Sequence, residues 1–124
     1  MTLTNNITAL EQAQAFAEIR EQQRQEVLAL IKEAHKSIKF KKPYGLNWHV
    51  FVDGCDMGGM HTQQGSFGKE WVTFGVKCND LEWKPLGSFD RLLGHNTRLQ
   101  LAKCIVHARL MMTAGFEVTG YIHY

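Results

Sequence analysis

The segment between Asn96 and Gly115 constrains the fold most, because it predicts a helix with two apolar faces. Asn96 is a good N-cap residue, and Gly115 suits the position that follows a last helical turn. Projected at the helical angle, the two faces hold Leu101, Cys104, Ile105, Ala108, Met111 and Met112, and Leu99, Ala102, Val106 and Leu110. Such a helix must be covered on both sides. We therefore expect a sheet on one face and, on the other, the first helix or a second copy of the chain.

A long first helix is predicted over residues 8–38. The letters TALE form a capping box with Thr8 as the N-cap and Glu11 three residues later. The polar run EQQRQE, residues 21–26, interrupts the apolar pattern, so we expect the N-terminal half, about residues 8–26, to project or fold back. Projection would expose Phe16 and Ile19. The candidate self-association residues, in a homodimer, are Phe16, Ile19, Leu99, Val106 and Leu110.

Strands are predicted where β-branched and aromatic residues alternate with polar ones. They cover residues 46–53, residues 70–78, a short segment at 81–86 and the C-terminal FEVTGYIHY. In the first strand His49 points away from the face that carries Trp48, Val50 and Val52. We expect a single α+β domain over residues 1–124, with a mostly antiparallel sheet of three or four strands. The N-terminal helix and the long C-terminal helix pack on it, in the order α-β-β-(β)-α-β.

Composition excludes several classes of protein. A chain of 124 residues suits one domain, and no apolar stretch approaches the roughly 20 residues of a membrane span. The start MTLTNNITAL lacks the basic and apolar regions of a signal peptide. Three cysteines, Cys55, Cys78 and Cys104, indicate reduced thiols and a cytoplasmic location. The net charge of +2 neither demands nor forbids an anionic partner.

The glycine-rich stretch DGCDMGGMHTQQGSFGKEW, residues 53–71, is predicted to be a long loop. Glu70 follows Gly68-Lys69 where a phosphate-binding loop needs serine or threonine, and no closely spaced cysteine pair suggests zinc, so we expect no metal and no cofactor. A catalytic Cys55–His61 pair remains an alternative hypothesis. The favoured interpretation is a flexible contact surface for a protein partner. Its candidate residues are Met57, Met60, His61 and Phe67.

The basic run KEAHKSIKFKKPYGLNW, residues 32–48, is the strongest electrostatic feature. Lysines attract phosphates, and interleaved aromatic rings can stack on bases. Alternatively, lysines at this position complement the C-terminal dipole of the first helix. The candidate nucleic-acid-binding residues are Lys36, Lys39, Lys41, Lys42 and Tyr44.

Two family resemblances are visible. The order of helix, strands and helix resembles a double-stranded-RNA-binding domain, although the second helix offers only Arg98 and Lys103 where such domains have a basic start. The letters EIR, NW and GFEV…IH resemble plasmid-borne proteins that inhibit the SOS response, over a small part of the chain. Neither resemblance identifies the family, and no residue roles follow from either.

These observations lead to two hypotheses for function. The leading one is a small non-enzymatic interaction protein that binds another macromolecule, with a protein partner expected and an inhibitor or accessory factor of a mobile element as the context. The alternative is a nucleic-acid-binding domain that uses the run 32–48. No membrane partner is expected.

Overall fold

The computed structural model describes residues 8–43, 45, 47–65, 68–77, 83–84, 97–118 and 124. Five strands form one antiparallel sheet in sequence order, with a helix before it and a helix after it. The α+β fold class is confirmed, and the described residues form five strands where three or four were expected. The elements are helices α1 (Ala9–Ala34) and α2 (Arg98–Thr113), a 3₁₀ turn (His35–Ser37), and strands β1 (Ile38–Lys41), β2 (Trp48–Val52), β3 (Cys55–Gly65), β4 (Gly68–Lys77) and β5 (Trp83–Lys84).

The first helix begins where the sequence predicts but ends earlier. Thr8 is the N-cap, and its hydroxyl accepts a hydrogen bond from the Glu11 N–H at 3.1 Å. The predicted continuation to residue 38 is wrong, because Ile38 already begins β1. In β1, Ile38 and Phe40 alternate with lysines, which is the period of a strand with one apolar face.

Residues at and just beyond the ends of α2 determine where it begins and ends. The N-cap is Thr97 instead of Asn96, which lies outside the described residues. Thr97 and Gln100 form a reciprocal capping box, in which each side chain accepts a hydrogen bond from the other residue's N–H, at 3.0 and 3.1 Å. Gly115 follows the helix with a φ of 83°, in the left-handed region that glycine adopts without strain.

The glycine-rich stretch forms strands β3 and β4, so the prediction of a long flexible loop is wrong. Gly58 lies beneath α2, where an added Cβ would stand 2.7 Å from Ile105 Cγ2 and 2.8 Å from the Gly75 carbonyl oxygen. Met57 and Met60 point into the core and are buried. The expectation of exposed methionines therefore fails, because glycine lets a helix pack closely on this strand and the methionines fill the space beside it.

The core lies between the sheet and α2. Ala102 and Val106, on the second apolar face of α2, are fully buried within the chain, and α1 packs against α2. Ile31 is the buried residue of α1. The first helix therefore covers much of that face. The core cluster consists of Val50, Val52, Met57, Met60, Val76, Leu101, Ala102, Ile105, Val106 and Ala108.

The chain turns toward α1 after α2. Arg20 donates a hydrogen bond from Nη2 to the Gly115 carbonyl at 2.7 Å, and its guanidinium stands 3.7 Å above the centre of the Phe116 ring. Residues 116–118 are not in a strand, contrary to prediction, and the rest of the predicted C-terminal strand lies outside the described residues, apart from Tyr124. Within the described ranges, neither helix combines the length and apolar character needed to cross a membrane.

Candidate functional site

Two lysines of the basic run, Lys39 and Lys41, lie on the edge strand β1, and Lys42 follows it. Lys36 precedes β1 in the 3₁₀ turn, and Lys32 belongs to the last turn of α1. Lys41 pairs with His49 and Lys39 with Phe51, on the sheet face opposite α2, while Phe40 and Ile38 point toward the core. The Lys41 ammonium lies 5.1 Å from the centre of the Phe51 ring. Both lysines are exposed. The alternation in β1 therefore keeps them free of the core and in contact with solvent.

Lys42 and Arg98 approach the same tryptophan from different elements. The Lys42 Nζ lies 4.6 Å from the centre of the Trp48 ring, and the Arg98 Cζ lies 4.8 Å from it. Arg98 also stands 4.0 Å from the centre of the Phe40 ring. Cation–π contact holds both charges at the sheet edge. The first turn of α2 thus adds a cation that the basic run alone does not contain.

We call five cations the basic edge: Lys36, Lys39, Lys41, Lys42 and Arg98. Lys36 is the member with an acidic neighbour, since its ammonium lies 3.0 Å from a Glu33 carboxylate oxygen. Both side chains of that pair are more than two-thirds exposed, so water screens their attraction. Tyr44, the other predicted member of the site, lies outside the described residues.

A cavity of about 440 Å³ opens beside the basic edge. Its lining includes two aromatic rings, two of the predicted partner-binding residues and one lysine of the basic edge. We call it the tryptophan cleft, and its lining residues are Lys42, Asn47, Trp48, Met60, His61, Thr62 and Trp71. Trp48 is paired with Met60 and Trp71 with Thr62, so the tryptophans belong to the strands on either side of β3.

A second cavity, of about 620 Å³, lies between α1, the β2–β3 turn and α2. Leu30, Val52, Met57 and Leu110 give it apolar walls. Of the predicted partner-binding residues, Met57 therefore lines this cavity, Met60 and His61 line the tryptophan cleft, and Phe67 lies outside the described residues. The fold does not bring the three described residues together at one surface.

The predicted self-association residues are also distributed over different environments. Phe16 and Ile19 are 69% and 54% exposed on α1, and Leu99 is 47% exposed on α2. Leu110 is half-buried, and Val106 is fully buried. Val106 is covered by other residues of its own chain, so a second copy could contact it only if the core partly unfolded.

His49 and Asp56 form a buried pair on the sheet face opposite α2. The Nδ1 of His49 lies 2.9 Å from Oδ2 of Asp56, and the two side chains are 5% and 10% exposed. The other carboxylate oxygen accepts a hydrogen bond from the Gly58 N–H at 3.2 Å. The carboxylate thus orients the imidazole and fixes the start of β3.

A second histidine cluster joins the two helices to Tyr124. The His35 Nε2–H donates to the Lys103 carbonyl at 3.1 Å, and His107 Nδ1 lies 2.8 Å from the Tyr124 hydroxyl. The His35 and Tyr124 rings meet edge to face, with centres 4.7 Å apart. The cluster thus links the end of α1 to α2 and to Tyr124, which remains 41% exposed.

Burial is the main cause of the pKa shifts in this cluster. It lowers the pKa of His35, where the charge of Lys103 also lowers it and the hydrogen bond to the Lys103 carbonyl raises it. It also lowers the pKa of His107, and the charges of His35 and Arg24 add to that effect.

The Tyr124 hydroxyl and the nearby Cys104 thiol both have raised pKa values. Burial raises the pKa of the Tyr124 hydroxyl, and the neighbouring Cys104 contributes to the shift. Burial alone raises the pKa of the Cys104 thiol to about 12. Both groups are therefore uncharged near neutral pH.

The hypothesis of a catalytic Cys55–His61 pair fails on distance. Both residues belong to β3, six positions apart in an extended strand. At about 3.3 Å per residue their α-carbons are about 20 Å apart, far beyond the reach of one hydrogen bond. Over the ranges that the structure describes, no group of three or more histidine, cysteine, aspartate or glutamate side chains is placed to hold a metal ion.

Comparisons with protein-family models, curated proteins and solved structures found no match to this chain. The site is therefore assigned from its own geometry. Sequence reasoning found four lysines of the basic edge and missed Arg98, Asn47 and Trp71. The sequence places Arg98 at the start of a predicted helix, but its contacts with Trp48 and Phe40 depend on the tertiary fold.

Proposed function

We propose that this protein acts by binding another macromolecule, and that the macromolecule is a nucleic acid held at the basic edge. The observation that carries the proposal is the placement of Lys42 and Arg98 around the Trp48 ring, at 4.6 and 4.8 Å. Contact with the same ring brings Arg98 of α2 close to Lys42, which follows the lysines of β1. A cytoplasmic location is part of the proposal, because Cys55 and Cys104 are both free thiols.

Charge and position both support a polyanionic ligand. The basic edge contains five cations, and Lys39, Lys41 and Lys42 are all exposed at the same edge of the sheet. Lys39 and Lys41 lie on the face opposite α2, and Lys42 lies against Trp48 on the other face. Lysine and arginine side chains that neutralise phosphates release the counterions condensed on a nucleic acid, and this release favours binding. The rings of Phe51 and Trp48 beneath the lysines limit the freedom of these side chains, so less entropy is lost when a phosphate binds.

The test is binding of fluorescent single- and double-stranded DNA and RNA over a range of salt concentrations. In the Lys39→Gln/Lys41→Gln variant we expect weaker binding and a shallower dependence of log K on log salt. For a single strand the slope decreases by about 1.4, because each phosphate contact contributes about 0.7.

The matched control is Arg24→Gln/Lys69→Gln, which removes the same charge from exposed positions away from the basic edge. We expect this control to keep the wild-type salt slope. Equal losses in both double variants would show that net charge alone attracts the ligand. Absence of binding by the wild type at low salt would overturn the proposal.

A second candidate function rests on the exposed apolar residues of α1. Phe16, Ile19 and Leu30 are each more than half exposed and lie within about 60° of one another around the axis of α1, so they form one apolar surface. Leu10 is also more than half exposed but lies on another side of the helix. This surface would suit an inhibitor or accessory factor that binds a protein partner, and we propose a second copy of the chain as that partner.

Sedimentation over a range of concentrations tests this second candidate. We expect the wild type to dimerise and the Phe16→Ser/Ile19→Ser variant to stay monomeric. The control Gln14→Ser/Glu18→Ser changes two exposed polar residues of the same helical segment. A wild type that is monomeric at every concentration would exclude self-association through α1.

A further inference from the structure

The tryptophan cleft, with a volume of about 440 Å³, has room for a flat aromatic ring and lies beside Lys42 of the basic edge. Trp48 and Trp71 lie on strands to either side of β3 and are paired with Met60 and Thr62, two residues apart. With strands about 4.8 Å apart and about 3.3 Å per residue, the two tryptophan α-carbons are about 12 Å apart. Both side chains are half-buried against the core, so the fold fixes the cleft between them.

The two tryptophans have different surroundings. Lys42 and Arg98 stand against the Trp48 ring. Among the residues that the structure describes, no cation stands over the Trp71 ring and no aromatic ring packs against it. Trp71 is therefore the ring on which a further aromatic group can stack, while Trp48 holds the cations at the rim.

Polar groups at the cleft match the edges and backbone of a nucleotide. Asn47 has an amide that donates and accepts hydrogen bonds, and Thr62 has a hydroxyl with the same two abilities. Lys42 belongs to both the cleft and the basic edge. A nucleotide whose base enters the cleft therefore places its phosphate beside a fixed cation.

We propose that the tryptophan cleft binds one unpaired base of a single-stranded nucleic acid, stacked on Trp71, while the basic edge holds the adjoining phosphates. This inference rests on the proposed nucleic-acid-binding function and deepens it. Bases inside a duplex are stacked and paired, so their faces are inaccessible to the cleft. The cleft thus gives the protein a preference for single strands that the basic edge alone does not give.

The first experiment compares wild type, Trp71→Leu and Trp71→Phe in binding to a single strand and to a duplex of equal length. For Trp71→Leu we expect affinity for the single strand to fall about fivefold or more, with the duplex affinity and the salt slope unchanged. Trp71→Phe keeps a stacking ring, and we expect it to recover most of the lost affinity. Thermal unfolding of each variant verifies that the chain is folded.

A second experiment needs no variant. Ultraviolet cross-linking of the wild-type protein to a single strand that contains 5-bromouracil identifies the residues that touch the base. We expect the cross-linked peptides to contain Trp71 or Trp48. Cross-links confined to peptides without residues of the cleft would overturn the inference.

The results separate this inference from the proposed function. A wild type that binds no nucleic acid removes both. Binding that the Lys39→Gln/Lys41→Gln variant weakens but Trp71→Leu leaves intact removes only the base subsite. An equal loss of single-strand and duplex affinity in Trp71→Leu also overturns the subsite, because stacking of an unpaired base cannot explain it.

Discussion

The Asp56 carboxylate lies 2.9 Å from Nδ1 of His49, and at least nine-tenths of each side chain is buried. The same carboxylate accepts a hydrogen bond from the Gly58 N–H. Asp56→Ala removes the carboxylate that accepts from His49 Nδ1 and from the Gly58 N–H in the interior of the protein. We expect it to lower the free energy of unfolding by about 1–3 kcal/mol, measured by urea denaturation. Glu18→Ala removes an exposed carboxylate and serves as the control, with an expected change within about 0.5 kcal/mol. Equal effects of the two changes would contradict a structural role for the pair.

Two glycines of β3 differ in how they tolerate a methyl group. In Gly58→Ala the new Cβ would meet Ile105 Cγ2 at 2.7 Å and the Gly75 carbonyl at 2.8 Å, so α2 must shift. We expect a loss of about 1–3 kcal/mol in the free energy of unfolding. In Gly65→Ala the nearest atoms belong to the flexible side chain of Glu70, which can rotate away. Thermal or urea unfolding compares the stability of the two variants. An equal loss in the free energy of unfolding would show that close packing against α2 is not the cause of the destabilisation in Gly58→Ala.

Stability is expected to fall with acidification through His35 and His107. Burial lowers the pKa of both in the folded chain, and Lys103 and Arg24 add to the shifts. The unfolded chain, with an ordinary imidazole pKa of 6.5, therefore takes up protons first as the pH falls. The contribution of the two histidines to the free energy of unfolding is fully present above pH 6.5. It is lost as the pH falls from 6.5 through the lowered pKa values of the folded chain.

Urea unfolding between pH 7.5 and pH 5 measures this loss. In the His35→Gln/His107→Gln variant we expect a smaller decline of the free energy of unfolding over this range than in the wild type. The slope against pH is the readout, because the variant also loses the contact between His107 and Tyr124. Parallel slopes in the two proteins would exclude the cluster as the source of the pH dependence.

Two cysteines are expected to differ strongly in reactivity. Cys55 is exposed at the start of β3, whereas Cys104 is buried on α2 and its pKa is raised to about 12. The thiolate is the reactive form, so Cys104 is protected both by access and by protonation. In a Cys78→Ser chain, we expect an aromatic disulfide reagent to modify one thiol in the native protein and the second only in denaturant. Rapid modification of two native thiols would contradict this placement of Cys104.

The periodic elements could be predicted from the sequence because their patterns are local. The two apolar faces of α2 and the alternation around Val72 and Val76 each indicate an element without knowledge of its neighbours. The cap at Thr8 and the stop at Gly115 also depend on residues within one turn of helix. These features lie where the sequence places them, apart from shifts of a few residues at the ends.

Strand β3 could not be predicted because its residues have a low propensity for β-strands. Its sequence CDMGGMHTQQG contains three glycines and a single β-branched residue, Thr62, a composition typical of loops. Packing decides the outcome, since Gly58 admits α2 and Met60 fills the core. The meeting of Arg98 with Trp48 had no local signal either, because the two residues lie in different elements.

Each strand of the sheet pairs with its neighbours in sequence, in the order β1 to β5. Each pairing therefore closes a short stretch of chain, and little entropy is lost in each closure. The remaining long-range step is the docking of α2, whose Leu101 and Ile105 join Val50 and Met60 in the core. During translation α2 is made after all five described strands, so their core face stays open to water and to chaperones until the ribosome has completed that helix.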